Sequence, residues 1–152
     1  MKTVLFVCTG NTCRSPMAEG IARHLASAGR MTGVSRDTFF ASAGVFTSDG
    51  RPVSPETRRA LAKHGIEWEG RSKVLSPEMV RRADLVLAMT EQHAEAVREI
   101  LPAGSPDARK VHVLDPSGDV PDPIGLGQES YDLLAERLLR LLPTRVSECL
   151  AR

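Results

Sequence analysis

Residues 4–20 read VLFVCTGNTCRSPMAEG. The run Thr3 to Val7 is short, apolar and rich in Val, Leu and Phe, the pattern of a buried strand. Ser15-Pro16 reads as a helix start, because Ser can cap and Pro suits the first helical position, where its missing N–H has no partner anyway. Met17, Ile21, Ala22, Leu25 and Ala28 then recur at helical spacing, and Gly29 follows as a stop. Between strand and helix lies the loop CTGNTCRS, Cys8 to Ser15, with two thiols, a guanidinium and a glycine.

A loop that runs from a strand into a helix turns its backbone N–H groups inward, and the helix start adds partial positive charge, so the loop suits an anion. Gly10 permits a backbone angle that other residues resist. Asn11 tolerates a left-handed conformation and can brace the turn with its amide. Arg14 offers a planar fork of donors matched to two phosphate oxygens. The same field favours thiolate over thiol at Cys8, and the Ser15 hydroxyl can donate to that sulfur. The expected device is a phosphate cradle over Thr9, Gly10, Asn11, Thr12, Cys13, Arg14 and Ser15, with Cys8 as nucleophile at its floor. It lacks Gly-Lys-Ser/Thr and so is not a Walker loop.

Outward from this segment, strands alternate with helices. Phe39 to Ala43 is a second, weaker strand; Ser54-Pro55 opens a helix to about Lys63; LSPEMVRR is a short third helix. Ala83 to Met89 is the third strand, Thr90 caps a helix from Glu91 to about Leu101, and Lys110 to Leu114 is the fourth strand. A Pro-, Gly- and Asp-rich loop spans Asp115 to Gly127, and a last helix runs from about Glu129 to Leu142. This alternation predicts an α/β fold: one three-layer domain over residues 1–152, with a four-stranded parallel sheet and helices on both faces. Ligands of such sheets sit outside the carboxyl ends of the strands, where CTGNTCRS and the loop containing DVPDPIG can meet.

The composition sets bounds on this reading. The chain has 152 residues, 41% of them hydrophobic and 26% charged, with a net charge of +1. Nothing in that balance draws it to nucleic acid or membrane. Three cysteines, Cys8, Cys13 and Cys149, are few and odd in number, which argues against a secreted disulfide scaffold and for a cytoplasmic location. No Cys/His clustering suggests a metal site, and the expected cofactor and metal content is none.

A cysteine nucleophile needs a proton donor for the leaving group, and Asp115, Asp119 and Asp122 compete for that role. We assign it to Asp122, in DPIG, where Pro123 stiffens the loop behind it, and leave Asp115 and Asp119 as turn residues. Taken with VCTGNTCRSPMAEG, with SAG at Ser42–Gly44 and with ADLVLAM, this Asp-Pro resembles the low-molecular-weight protein-tyrosine-phosphatase family across almost the whole chain. The resemblance implies a flavodoxin-like fold, a cysteinyl-phosphate intermediate and water attack with the same aspartate as base. It puts Cys8, Arg14 and Asp122 at catalytic positions, and Asn11, Ser15 and Ser42 at positions that support the loop or tune the thiolate.

Substrate choice turns on Thr12 and Ile124. Phosphotyrosine members carry an aliphatic residue at the Thr12 position and aromatic residues after Asp-Pro. Thr12 and the sequence Asp-Pro-Ile-Gly instead look like the protein-arginine-phosphatase branch, although that branch tends to have an aromatic residue where Ile124 stands. The expected function is hydrolysis of phosphoarginine in proteins, with phosphotyrosine as the alternative. Arsenate reduction would need two further cysteines, and a non-catalytic phosphate-binding module would need neither thiol nor acid. The expected partners are phosphorylated proteins, and the expected state is a monomer.

Smaller signals complete the reading. Cys13 is either a packed residue at the helix start or a resolving thiol for oxidised Cys8. Cys149 is incidental. His24, His64, His93 and His112 are dispersed, and surface or helix-end roles are expected for them. Trp68 is expected to cover core surface, Tyr131 to pack at the start of the last helix, and Phe46 and Thr47 to line the mouth.

Overall fold

The computed structural model describes residues 1–152. Its elements are β1 (Thr3–Cys8), α1 (Arg14–Ser27), β2 (Phe39–Gly44), α2 (Pro55–Ala62), α3 (Pro77–Arg82), β3 (Leu85–Ala88), α4 (Glu91–Glu99), a short 3₁₀ turn (Pro106–Lys110), β4 (Val111–Val113) and α5 (Gln128–Leu150). The strands form one parallel sheet in the order β2-β1-β3-β4. β1 is interior, with Val4 beside Phe40 on one side and Leu85 on the other. The three-layer α/β architecture is therefore as read from the alternation of elements.

The period-2 geometry of β1 divides the core. Val4, Phe6 and Cys8 face a cluster built with Met17 and Ile21 of α1, Leu61 of α2, and Leu134 and Leu138 of α5. Leu5 and Val7 face Val80 of α3 and Ala94 and Val97 of α4. Cys8, the last residue of the strand, thus points to the α1/α5 side while its backbone ends at the sheet's carboxyl edge. Trp68 packs against that same core, with the Arg23 guanidinium 4.6 Å from its ring centroid.

Ser-Pro pairs open α2 and α3 as expected: Ser54 accepts from the Thr57 N–H at 3.2 Å and Ser76 from the Met79 N–H at 3.3 Å. At Ser15 the rule fails. α1 begins at Arg14, its cap position is Cys13, and no side chain caps it. Ser15 lies inside the first turn, fully buried, because its hydroxyl is committed to Cys8 and Asn11.

The other departure is α5, which runs on to Leu150 with Pro143 inside it. An interior proline removes a hydrogen bond and costs about 3 kcal/mol in a free helix. Here Val146 and Cys149 are buried beyond that point. Arg145 also donates to the carbonyls of Leu114 and Val113, both at 2.9 Å, pinning the second half of the helix to the end of β4. Cys149 is therefore a core residue, and burial pushes its thiol pKa up.

Candidate active site

The loop from Cys8 to Ser15 closes around the sulfur of Cys8. Cys8 is 2% exposed, with Ser15 Oγ 2.9 Å from its Sγ and the Asn11 N–H donating to it at 3.3 Å. Donor directions follow from the network. The backbone N–H of Lys73 donates to Asn11 Oδ1 at 2.9 Å, which leaves Asn11 Nδ2 as the donor to Ser15 Oγ at 2.8 Å. Ser15 already accepts from Asn11, so its own proton is free to point at Cys8 Sγ. The sulfur is thus placed to accept two hydrogen bonds.

The strained residue of the turn is Asn11, at φ 56°, in the left-handed region. Gly10 does not take a positive φ, and an added Cβ there would meet only Thr12 Oγ1, at 3.7 Å. The conformational freedom expected of Gly10 is thus used by Asn11, whose amide repays the strain by clamping Ser15 and Lys73. The glycine that geometry demands is Gly44: a Cβ there would lie 2.6 Å from the Thr9 carbonyl oxygen. β2 can therefore run close beside the loop, and the N–H groups of Val45 and Phe46 donate to the carbonyls of Cys8 and Thr9.

Arg14 is buried, 5% exposed, and held on three sides. It donates to the Val120 carbonyl at 3.0 Å and to Thr9 Oγ1 at 3.4 Å, and lies 3.7 Å from Asp122 Oδ2. The fold thus joins Cys8, Arg14 and Asp122 at one mouth across a long sequence gap. Asp122 divides its oxygens: Oδ1 accepts from the Ile124 N–H at 3.0 Å, making a turn, while Oδ2 faces Arg14. Asp115 and Asp119 serve structure. Asp115 accepts from the Ser117 N–H and Arg137, and Asp119 accepts from the Glu91 N–H at the start of α4. A cavity of about 240 Å³ borders Asp122 on its far side, lined by Pro121, Pro123 and Leu126 among others. A concavity of about 710 Å³ lies between α2 and residues 66–69 and does not include the loop.

Thr12 carries its hydroxyl on the loop with one weak contact, to Cys13 Sγ at 3.7 Å. Ile124 is exposed beyond Asp122, and Phe46 is 82% exposed. Cys13 is buried, its sulfur 3.5 Å from both Ser54 Oγ and Tyr131 Oη. Tyr131 packs at the start of α5 as expected, and burial together with the Cys13 contact raises its phenol pKa.

Ser42 is not found on the loop sulfur. Its hydroxyl donates to Glu19 Oε1 at 2.6 Å, tying β2 to α1. Glu19 is a buried carboxylate that the sequence reading passed over; it also pairs with Arg23 at 2.9 Å, and burial raises its pKa. The larger omission is His93. It is 6% exposed, not on the surface, and its Nε2 lies 2.7 Å from Thr9 Oγ1. Burial, with Arg14 nearby, pushes its pKa down to about 4. Sequence position did hold a clue: His93 stands in the first turn after β3, at the same carboxyl edge as the loop.

A doubly wound sheet whose first strand ends in a donor-wrapped cysteine, with a buried arginine and a facing aspartate, defines a cysteine-based phosphatase. The sequence model of low molecular weight phosphotyrosine protein phosphatase matches residues 3–150, and the chain belongs to that family. It is similar to the protein-arginine-phosphatase of Bacillus subtilis, 36% identical over 141 residues, covering 91% of each chain. It is also similar to the low molecular weight protein-tyrosine-phosphatase PtpB of Staphylococcus haemolyticus, 34% identical over 143 residues, covering 91% of this chain and 94% of that one. Among solved structures it superimposes on the YwlE arginine phosphatase in a cysteine-to-serine mutant with a phosphorylated active-site serine. The TM-score is 0.83 and the identity 32%, over 99% of this chain and 96% of that one. The protein is a protein phosphatase acting on phosphorylated proteins.

Proposed function

We propose that this phosphatase hydrolyses phosphoarginine in proteins, with Cys8 as nucleophile, Arg14 and the loop amides as the phosphoryl clamp, and Asp122 as general acid and base. Cys8 Sγ attacks phosphorus; the S–P bond forms as the P–N bond breaks, and Asp122 gives its proton to the departing guanidine nitrogen. Water then attacks the cysteinyl phosphate, Asp122 takes its proton, and phosphate leaves with the electron pair of the S–P bond returning to sulfur. The sulfur environment described above suits both steps, since the same donors stabilise it as attacking and as leaving group. The phosphorylated active-site serine of the YwlE cysteine-to-serine mutant supports covalent capture at this position.

The single observation behind the choice of phosphoarginine is Thr12, a loop hydroxyl with only a weak partner. A phosphoguanidine is flat and polar and can use that hydroxyl, and the Asp122 carboxylate can pair with its nitrogens. No aromatic residue follows Asp122-Pro123 to wall a phenol. The phosphotyrosine reading is favoured by Phe46, exposed next to the loop, which could stack on a ring. The test compares kcat/KM on peptides matched except for phosphoarginine or phosphotyrosine. We expect the phosphoarginine peptide to be preferred, and Thr12→Ile to move the ratio toward phosphotyrosine. An unmoved ratio defeats the role of Thr12 while sparing the phosphatase.

Cys13 is a second buried thiol on the same loop, and we propose it as the resolving partner of oxidised Cys8. Peroxide would convert Cys8 to a sulfenic acid, and attack by the Cys13 thiol would release water and form a disulfide. Treated protein should lose two hydrogen masses and recover activity with thiol reductant. In Cys13→Ser the two-hydrogen loss should give way to added oxygen on Cys8, and a two-hydrogen loss retained in that variant would remove Cys13 from the role.

A further inference from the structure

We propose that His93 is a positioning residue for phosphoryl transfer, acting on Arg14 through the hydroxyl of Thr9. The inference rests on the roles given above to Cys8, Arg14 and Asp122. Thr9 Oγ1 has two partners, His93 Nε2 at 2.7 Å and Arg14 Nη2 at 3.4 Å. Arg14 is a donor only, so Thr9 accepts from it. The short bond is the one to His93, and it sets the rotamer in which the hydroxyl meets the guanidinium.

The geometry of Arg14 shows what this controls. Its Nη1 end is fixed by the Val120 carbonyl at 3.0 Å. Its Nη2 end lies between the Thr9 hydroxyl at 3.4 Å and Asp122 Oδ2 at 3.7 Å. Thr9 and Asp122 therefore share the same guanidinium nitrogen, which has one N–H for each. With the hydroxyl held by His93, Arg14 keeps its place and Asp122 stays available for proton transfer. Without His93, Thr9 is free to turn away, and Arg14 can close on Asp122 into a tighter ion pair. That collapse would spoil the clamp and the acid together.

His93 is well placed to be a fixed, uncharged brace. It sits in the first turn of α4, where Thr90 Oγ1 accepts its N–H at 3.1 Å. The charged groups facing the ring are Arg14, Asp119 and Asp122. The positive N-terminus of α4 and Arg14 both disfavour a cationic ring there. Nδ1 is buried without a partner. A proton on Nε2 leaves only a lone pair unsatisfied at Nδ1, whereas the other tautomer would leave a buried N–H unpaired, the costlier state. His93 Nε2–H thus donates to Thr9, which accepts from both His93 and Arg14.

The test uses the whole protein with two aryl phosphates, para-nitrophenyl phosphate and phenyl phosphate, which differ in leaving-group quality. His93→Leu should lower kcat about 10-fold on phenyl phosphate, less on para-nitrophenyl phosphate, with little change in KM. His93→Gln, which keeps an N–H donor near Thr9, should recover most of the loss. Thr9→Val should reproduce it, and the double variant His93→Leu/Thr9→Val should be no worse than either single. Equal losses on both substrates, no recovery with His93→Gln, or additive losses in the double variant would overturn the proposal. Thermal unfolding of each variant separates misfolding from these outcomes, and His93→Gln stands as the measurement should His93→Leu fail to fold. Cys8→Ser is assayed alongside. Turnover retained in Cys8→Ser would sink the reading of the site and this proposal with it; a wild-type kcat in His93→Leu beside an inactive Cys8→Ser would sink this proposal alone.

Discussion

Asn11 concentrates the cost and the purpose of the loop in one residue. It holds a left-handed backbone, donates its N–H to Cys8 Sγ and its amide N–H to Ser15 Oγ, and accepts the Lys73 N–H on its amide oxygen. A left-handed conformation costs an ordinary residue about 1–2 kcal/mol. Asn11→Ala keeps that strain and orphans buried partners, so denaturant unfolding should show a loss of about 2–4 kcal/mol together with a fall in kcat. Asn11→Gly relieves the strain without restoring the clamp and should recover stability more than kcat. Asp122→Asn should depress turnover most for poor leaving groups, by roughly 10²–10⁴-fold where protonation is required, as read from a series of aryl phosphates. His93 gives a pH signature. Its folded pKa of about 4 lies below the ordinary 6.5, so between these values the unfolded chain binds a proton that the folded chain refuses. Stability therefore falls as pH drops from about 6.5 to about 4, by on the order of 3 kcal/mol from this group. Equilibrium unfolding of wild type and His93→Gln across that range should show the wild type losing more.

At the scale of elements, β1, α1 and α5 carry the design. β1 and the turn into α1 were legible because apolar pattern, Ser-Pro and periodicity agree locally. The Ser54, Ser76 and Thr90 caps were legible for the same reason. Ser15 was misread as a cap because the same dipeptide serves a different partner when a thiol lies across the loop. The end of α5 was misread because Pro143 is a local stop signal, and local signals cannot register the carbonyls of β4 that Arg145 finds. Arg145→Leu should keep the apolar packing but leave two carbonyls and the distal turns of α5 without their anchor. A loss of about 2–3 kcal/mol in the urea midpoint analysis is expected, with the far-UV helix signal reduced beyond Pro143.

At the scale of the molecule, the loop is a junction. It is bonded to the Lys73 segment through Asn11, to the segment after β2 through Val45 and Phe46, to α4 through His93 and to residues 120–122 through Arg14. An anion bound there should therefore stabilise the whole fold. Inorganic phosphate at about 100 times its Kd should add about 2.7 kcal/mol, seen as a rise in Tm, and Arg14→Ala should abolish the rise. Relatives of both specificities share this architecture; on the proposed function, Thr12 on the loop and Ile124 beyond Asp122 select between them.

The layered α/β order, the loop between β1 and α1, and the candidates Cys8, Arg14 and Asp122 were readable along the chain, because each announces itself through local pattern or through a chemistry its side chain alone possesses. Only the tertiary structure decided that Asn11 and not Gly10 bears the turn's strain, that Ser42 serves Glu19, and that His93 stands behind Thr9. Those are pairings between segments far apart in the chain, fixed by parallel strands ending at one edge. A hydroxyl, an imidazole or a carboxylate carries no mark in the sequence of which distant donor or acceptor it will meet.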